Sequence, residues 1–312
     1  GKSTLLRQLS INHGEASTDD SYKIDMRLLL RLNAIIGIKK LFRYCTRIDL
    51  SLPDKCVKAN ELLDNDGSFE LAEDFSVATV QSLITIWEDV SEDIFEEAAE
   101  KYEELRHLKY LMEIMDRMSE KGYMPTSDDM LHARRTTVGI YSEDIHFNGY
   151  LWQCIDVGGQ KSERRKWIHC FDNVDVLVYC VNLASFDEPC PYNKDRCILD
   201  DSLSVWKSIL ATFTAEPIVL VFNKVDLFKH KMAERKQSYK DTLQDIKHQF
   251  LHGTQSNQVI NVFTTCALDS RQVMKHWRLM MNSYLKSQTK WIAEKKKKNK
   301  RMHSELKQSL IK

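Results

Sequence analysis

The sequence predicts an α/β fold that carries an inserted all-helical segment, and three observations predict it. Short apolar, β-rich runs at 150–155, 217–222 and 259–264 each end at a polar, chemistry-bearing segment, as strands do when their carboxyl ends line a ligand site. Between Ser21 and about Pro125 strand signal almost vanishes, and apolar residues recur at helical spacing. The chain opens on Gly1-Lys2-Ser3-Thr4, the last part of the phosphate-loop pattern G-x-x-x-x-G-K-[ST].

In an intact phosphate loop the Lys reaches the β and γ phosphates and the Ser hydroxyl binds Mg²⁺, while backbone N–H groups and the helix N-terminus hold the anion. Residues Leu5-Leu6-Arg7-Gln8-Leu9 read as the start of that helix. Taken alone, the four residues also fit an ordinary helix opening. Downstream, Met26, Leu29, Leu30, Leu32, Ile35, Ile36, Ile38, Leu41 and Phe42 cover much of one long helix. Further helical patterns run over 57–63, 77–87, 94–105 and 108–118. Between Ser3 and Asp156 lie 152 residues, far more than a compact phosphate-binding domain needs, so the intervening helices form an insert.

The run Tyr150-Leu-Trp-Gln-Cys-Ile155 predicts a buried strand that delivers Asp156 to its carboxyl end. An acid there can hold Mg²⁺, usually through water, because this hard cation takes oxygen ligands and keeps part of its hydration shell. Gly158 and Gly159 let the backbone approach a phosphate. The amide of Gln160 can orient an attacking water. As a bare string, Asp156-Val-Gly-Gly-Gln160 also fits a tight strand-to-helix turn.

Asn223-Lys224-Val225-Asp226 stands at the end of the run Pro217–Phe222. The carboxylate of Asp226 can accept both the ring N–H and the exocyclic amine of guanine, whereas adenine offers neither donor there. The alternative is a plain strand followed by a polar turn. A last strand, Val259–Thr264, leads into Thr265-Cys266-Ala267, whose backbone can contact a base.

Composition narrows the class. The 312 residues carry 45 basic and 45 acidic side chains with 43% hydrophobic residues, and no apolar run nears the ~20 residues that span a bilayer. A soluble intracellular protein without specific nucleic-acid binding is expected. The eight cysteines show no C-x-x-C spacing, so thiols in a reducing compartment are expected rather than disulfides. His169-Cys170 has no further ligands repeating nearby and reads as packing.

Six ordered motifs resemble the heterotrimeric G-protein alpha subunits: the phosphate-loop end, the helical insert, the segment Leu131-x-x-Arg134-x-x-Thr137-x-Gly139-Ile140, Asp156–Phe171, Asn223–Asp226 and Thr265-Cys266-Ala267. The resemblance covers nearly all of residues 1 to 295. It implies a P-loop Ras-like GTPase domain, a mostly parallel sheet flanked by helices, with an inserted all-helical domain. It divides the chain into residues 1–20 (start of the GTPase domain), 21–125 (helical insert), 126–292 (remainder, with the switch segments) and 293–312 (basic tail).

By that resemblance Arg134 stabilises charge on the transferred phosphoryl group and Gln160 positions the water, so these two are the catalytic residues of GTP hydrolysis. Gly1, Lys2, Ser3, Thr4, Leu131, His132, Arg134, Thr137, Asp156, Gly159, Asn223, Lys224, Asp226, Cys266 and Ala267 contact GTP or GDP. Ser3, Thr137 and, through water, Asp156 hold Mg²⁺. Glu163, Arg164 and Trp167 lie on the helix that meets the βγ dimer in the GDP state and effectors in the GTP state. The family couples to membrane receptors at the cytoplasmic face of a membrane. The loop 186–196 and the region 228–255 are further effector candidates. A G-alpha-like binding module without turnover is the alternative; an Arf-type GTPase fails on the Arg134 segment and on residues 166–171, and an ATPase fails on Asn223 and Asp226.

Three departures from the family pattern carry expectations. The sequence lacks an initiator Met, the strand before the phosphate loop and the amino-terminal helix, so a fragment that binds nucleotide poorly is expected. Leu105, Arg106 and His107 stand where the family places Asn-Asp-Ser. Arg106 there brings like charge toward Lys224, and faster GDP release is expected. From Lys286 to Lys312 come ten Lys or Arg against two Glu, a run that could attract an anionic membrane surface or remain a solvated tail.

Overall fold

The computed structural model describes residues 1–14, 19–65, 67–170, 174–191, 193–212, 217–254, 259–286 and 288. The basic tail, Phe171 and Gln255 lie outside them. Two compact units divide the chain, Leu9–Glu163 and Gly1–Gln8 with Arg164–Lys312, the first break falling inside α1 (Lys2–His13).

The first unit is built on α2 (Asp20–Arg47), 28 residues long and so about 42 Å from end to end. Asp19 caps it by accepting from the Ser21 N–H. Met26, Leu30, Ala34 and Ile38 recur every fourth residue and are buried, as are Leu41 and Cys45, which makes this face the spine of the helical core. Around it pack α3 (Asp54–Asn65), α4 (Ser68–Asp74), α5 (Val77–Glu88), α6 (Glu92–Lys101), α7 (Leu108–Glu113), α8 (Met115–Ser119) and α9 (Ser127–His132). Gly37 gives α7 its close approach, since a Cβ there would lie 2.9 Å from a Leu108 methyl.

The helical insert is therefore real, with three differences in detail. The pattern over 94–105 is α6 followed by a 3₁₀ turn, Glu103–Leu105, because the backbone turns extended at Tyr102. The pattern over 108–118 breaks at Ile114 into α7 and α8. The short α4 buries only Leu71 and Ala72, too little apolar signal to stand out in sequence.

Two strands complete this unit. β1 (Ile140–Phe147) pairs antiparallel with β2 (Tyr150–Val157) through a turn at Asn148 and Gly149, both at positive φ. Asn-Gly suits such a turn because both central residues must be left-handed. The expected buried strand before Asp156 is thus corrected: β2 has an exposed outer face carrying Leu151 and Ile155, and Asp156 is its penultimate residue. Among the described residues its β partner is β1, and the inner face, with Ile145 and Phe147 of β1, is covered. There the His13 ring meets Phe147 edge-on and Ser10 pairs with Glu143.

The second unit holds a parallel sheet in the order β3 (Leu177–Asn182), β6 (Ile218–Asn223), β7 (Val259–Thr264), with a small antiparallel pair, β4 (Pro189–Cys190) and β5 (Asn193–Cys197). β6 is central and buried at every residue, which explains its unbroken apolar sequence. The helices are α10 (Ile198–Thr212), α11 (Val225–Glu234), α12 (Tyr239–Leu251) and α13 (270–286). Trp206, fully buried, donates its indole N–H to the Phe250 carbonyl at 2.7 Å, so its polar atom is satisfied inside the core.

One buried charge fixes the approach to α9. Asp129 has no exposed surface and accepts a two-point fork from Arg117 (2.8 and 2.9 Å), the Tyr110 hydroxyl (2.6 Å) and the Thr126 N–H (2.8 Å). Burial pushes its carboxyl up, but Arg117, Tyr110 and Thr126 outweigh it and hold it down at about 2. A depressed carboxyl contributes stability above its ordinary 3.8, and that contribution disappears as the pH falls through about 2. Asp129→Asn is expected to lower the unfolding free energy by about 3 kcal/mol at neutral pH, since it leaves Arg117 without its counter-charge. Urea unfolding should show the gap between parent and variant narrowing from pH 7 to pH 2. A constant gap would rule out the carboxylate charge as its source.

Candidate functional site

The amino end of α1 starts abruptly. The first helical bond runs from the Leu5 N–H to the Gly1 carbonyl at 3.0 Å, so Lys2, Ser3 and Thr4 make up the first turn of the helix. Gly1 abuts Asn223: a Cβ on Gly1 would stand 1.8 Å from the Asn223 amide nitrogen. Buried Gln8 ties the same helix to the segment after β7, donating to the Ala267 carbonyl at 3.0 Å and accepting from the Ser270 hydroxyl at 2.5 Å.

The ends of β6 and β7 are joined by their own backbone. The Thr265 N–H donates to the Phe222 carbonyl (2.8 Å) and the Val225 N–H to the Thr265 carbonyl (3.2 Å). Asn223, 3% exposed, accepts the Ala267 N–H at 2.9 Å. Lys224 takes the left-handed conformation (φ 62°), a turn that starts α11 with Asp226 in its first turn and exposed. The Cys266 thiol is raised to about 11, first by burial and then by the Asp226 carboxylate beside it. Gly1, Asn223, Asp226, Cys266 and Ala267 are thereby brought together, with the Asp226 carboxylate facing water and open to donors.

In the unit Leu9–Glu163, α9 delivers a second set. Leu131 is buried, and the His132 ring stacks on Tyr110 at 3.6 Å with its Nδ1 2.9 Å from the Asp128 carbonyl. The backbone then leaves the helix at Ala133. Asn33 of α2 grips Arg134 by both main-chain groups, accepting its N–H at 2.6 Å and donating to its carbonyl at 3.0 Å. The Arg134 guanidinium lies 3.8 Å from the Glu104 carboxylate.

Farther on, the Thr137 hydroxyl donates to the Asp156 carboxylate at 3.3 Å, and Asp156 is 8% exposed. The Gly158 N–H donates to the Gly139 carbonyl (3.2 Å), and the Gly139 N–H donates to the Glu163 carboxylate (2.7 Å). A Cβ on Gly158 would meet Glu163 at 2.7 Å and the Thr137 carbonyl at 2.8 Å, so only glycine fits between them. These contacts fasten 137–139 to 156–163, with Gly159 and Gln160 exposed at the join.

The three residues expected at an interface, Glu163, Arg164 and Trp167, are engaged inward. Glu163 is 9% exposed with its carboxylate on Gly139. Arg164 forks onto Asp201 of α10 at 2.5 and 3.3 Å, and Trp167 packs against the core around Trp206. The loop 186–196 is stapled by Lys231, which donates to the Ala184 carbonyl (2.8 Å) and to Asp187 (3.0 Å). Among the described residues no cluster of three His, Cys, Asp or Glu is placed to hold a metal, none of the eight cysteines is in a disulfide, and no helix is long and apolar enough to cross a membrane.

Sequence reasoning missed Asn33, Glu104 and the Asp129 network. Asn33 carries one signal, an amide inside a helix whose neighbours Leu32, Ala34 and Ile35 are apolar.

Comparison with known proteins agrees with this geometry. A family profile described as G-protein alpha subunit matches residues 1–283. The chain is 30% identical over 290 residues to the guanine nucleotide-binding protein G(o) subunit alpha of Caenorhabditis elegans, covering 88% of this chain and 81% of that one. It is 31% identical over 243 residues to the guanine nucleotide-binding protein alpha-2 subunit of Saccharomyces cerevisiae, 75% of this chain and 54% of that one. It is 26% identical over 309 residues to the alpha-1 subunit of Caenorhabditis briggsae, 93% and 86%. The chain belongs to the G-protein alpha subunit family, the guanine nucleotide-binding GTPases of signal transduction.

Proposed function

We propose that this chain hydrolyses GTP to GDP and phosphate with Arg134 and Gln160 as its catalytic residues. The observation that carries the reading is the fastening of the Thr137 and Asp156 segments around Gly139, Gly158 and Glu163, which leaves Gly159 and Gln160 exposed beside two oxygen ligands. Lys2 and the N–H groups that open α1 hold phosphate oxygens. Asp226 accepts the two guanine donors, and Asn223 keeps the Ala267 segment in place for the base.

The donor set fits Mg²⁺. A hydroxyl and a buried carboxylate 3.3 Å apart are hard oxygen ligands of the kind that suit a cation that keeps several waters. When bound, the ion neutralises phosphate charge. The residues of the chain do the rest. Gln160 orients a water whose oxygen attacks the γ-phosphorus in line as the bond to the bridging β-γ oxygen breaks, and Arg134 compensates the charge that develops. An arginine supplied in cis is the arrangement the family uses for this reaction, and the roles of Arg134 and Gln160 follow it.

The same reading makes the segment 156–167 a switch. Glu163, Arg164 and Trp167 are held by Gly139, Asp201 and the core, and exchanging those partners when the γ-phosphate changes would alter the surface offered to a βγ dimer or an effector. Receptor coupling at the cytoplasmic face of a membrane, with the basic tail drawn to anionic lipid, belongs to this proposal.

In the full-length protein, Arg134→Ala and Gln160→Leu should each lower single-turnover hydrolysis by about 10²-fold or more while GDP affinity changes little. Binding without turnover in the parent would instead assign a binding module. Asp226→Ala should weaken GDP binding by about 10- to 100-fold and narrow the preference for guanine over adenine nucleotides. Competition titrations with GDP and ADP check this, and an unchanged preference would remove Asp226 from the base site.

A further inference from the structure

We infer that Asn33 is the positioning residue for Arg134, and this rests on the reading of Arg134 as catalytic. Residues 133 and 134 have left α9, with Ala133 at φ −66° and ψ 120°, so no helix holds Arg134 in place. Its main chain is held by a side chain. The Asn33 carboxamide accepts the Arg134 N–H at 2.6 Å and donates to the Arg134 carbonyl at 3.0 Å, reproducing one rung of a β ladder with a single amide.

Only an amide can do this. Asp and Glu accept but do not donate, Ser and Thr offer one atom for both jobs, and an apolar side chain offers neither. Asparagine also disfavours the interior of a helix, yet Asn33 stands midway along α2. Its neighbours Ala34 and Ile35 are fully buried, and Arg31 of the same helix anchors the far end of α8 by donating to the Met118 carbonyl at 3.0 and 3.3 Å. The amide is therefore carried on the most firmly packed element of this unit.

The guanidinium is treated differently from its backbone. Its partner Glu104 is 3.8 Å away, and both side chains are partly exposed, 29% and 37%. The root of the side chain is fixed, while its head shares a partly exposed pair with Glu104. Asn33 sets where the head can reach, and so acts on hydrolysis through Arg134 without touching substrate.

The test uses the full-length protein with Asn33→Ala, Asn33→Asp, Arg134→Ala and the double variant Asn33→Ala/Arg134→Ala. Single-turnover GTP hydrolysis, GDP and GTPγS affinity, and thermal unfolding are measured on each. We expect Asn33→Ala to slow hydrolysis about tenfold with nucleotide affinities within about twofold of the parent, because misplacement of a catalytic group costs rate rather than binding. Asn33→Asp keeps the acceptor and loses the donor, so it should fall between Asn33→Ala and the parent. The double variant should hydrolyse GTP no more slowly than Arg134→Ala alone.

Unchanged hydrolysis in Asn33→Ala, or a double variant slower than Arg134→Ala by the full Asn33 factor, overturns the inference. Equal loss of nucleotide affinity and rate in Asn33→Ala also overturns it, by assigning Asn33 a general structural role. If Arg134→Ala itself hydrolyses at the parental rate, the catalytic reading of Arg134 fails first, and the inference falls with it.

Discussion

The segment that bears Arg134 depends on the buried carboxylate of Asp129. A lone ion at 0% exposure would cost several kcal/mol to desolvate, so the fold supplies it with a guanidinium fork, a hydroxyl and a backbone N–H. Those donors come from α7, α8 and the turn before α9, so three pieces of chain must converge before the charge is satisfied. The Thr126 and Asp129 capping box then starts α9 in one register, and six residues later the chain reaches Ala133. A slip of one residue would put Met130 in place of the acid and leave Arg117 unpaired. Thus the direction in which α9 delivers Leu131, His132 and Arg134 follows from electrostatics inside the helical core.

Side-chain amides take over where regular structure stops. Asn33 grips Arg134, Asn223 accepts the Ala267 N–H, and Gln8 donates to the Ala267 carbonyl. Each lies where a backbone segment has left a helix or strand and its polar groups need partners. An amide carries a donor and an acceptor at fixed spacing, so it can hold a peptide group in orientation as well as position. This is an economical way to make a loop rigid without adding a strand. It also explains Gly1, since the Asn223 amide that serves Ala267 occupies the space a side chain at position 1 would need.

What the sequence could reveal follows from how each feature is encoded. β6 was legible to within a residue because a central parallel strand buried on both faces needs a continuous apolar run, and the edge strand β7 because of its β-branched and aromatic residues. The long helix α2 was legible because its buried residues recur every fourth position. β1 was not read, since its pattern Ile-Tyr-Ser-Glu-Asp-Ile-His-Phe alternates weakly, and the Asn148-Gly149 turn that reveals it was passed over. For the candidate site, the ligand-facing motifs were plain, as their chemistry demands fixed residue types. Asn33 and Glu104 were invisible, being about 100 and 30 residues from Arg134 with no spacing rule that links them. Glu163 illustrates the converse: a charged residue in a polar run reads as surface, but it is 9% exposed and its carboxylate accepts the Gly139 N–H.

Among the arginine ion pairs of this unit, those of Arg117 and Arg134 differ in how far they are buried. Arg117 meets a carboxylate that has no exposed surface, at 2.8 and 2.9 Å through two parallel bonds, and breaking such a pair costs about 3 to 5 kcal/mol. Arg134 meets Glu104 at 3.8 Å with both groups in reach of water, a geometry worth about 0 to 1 kcal/mol. The difference arises from burial rather than from residue type.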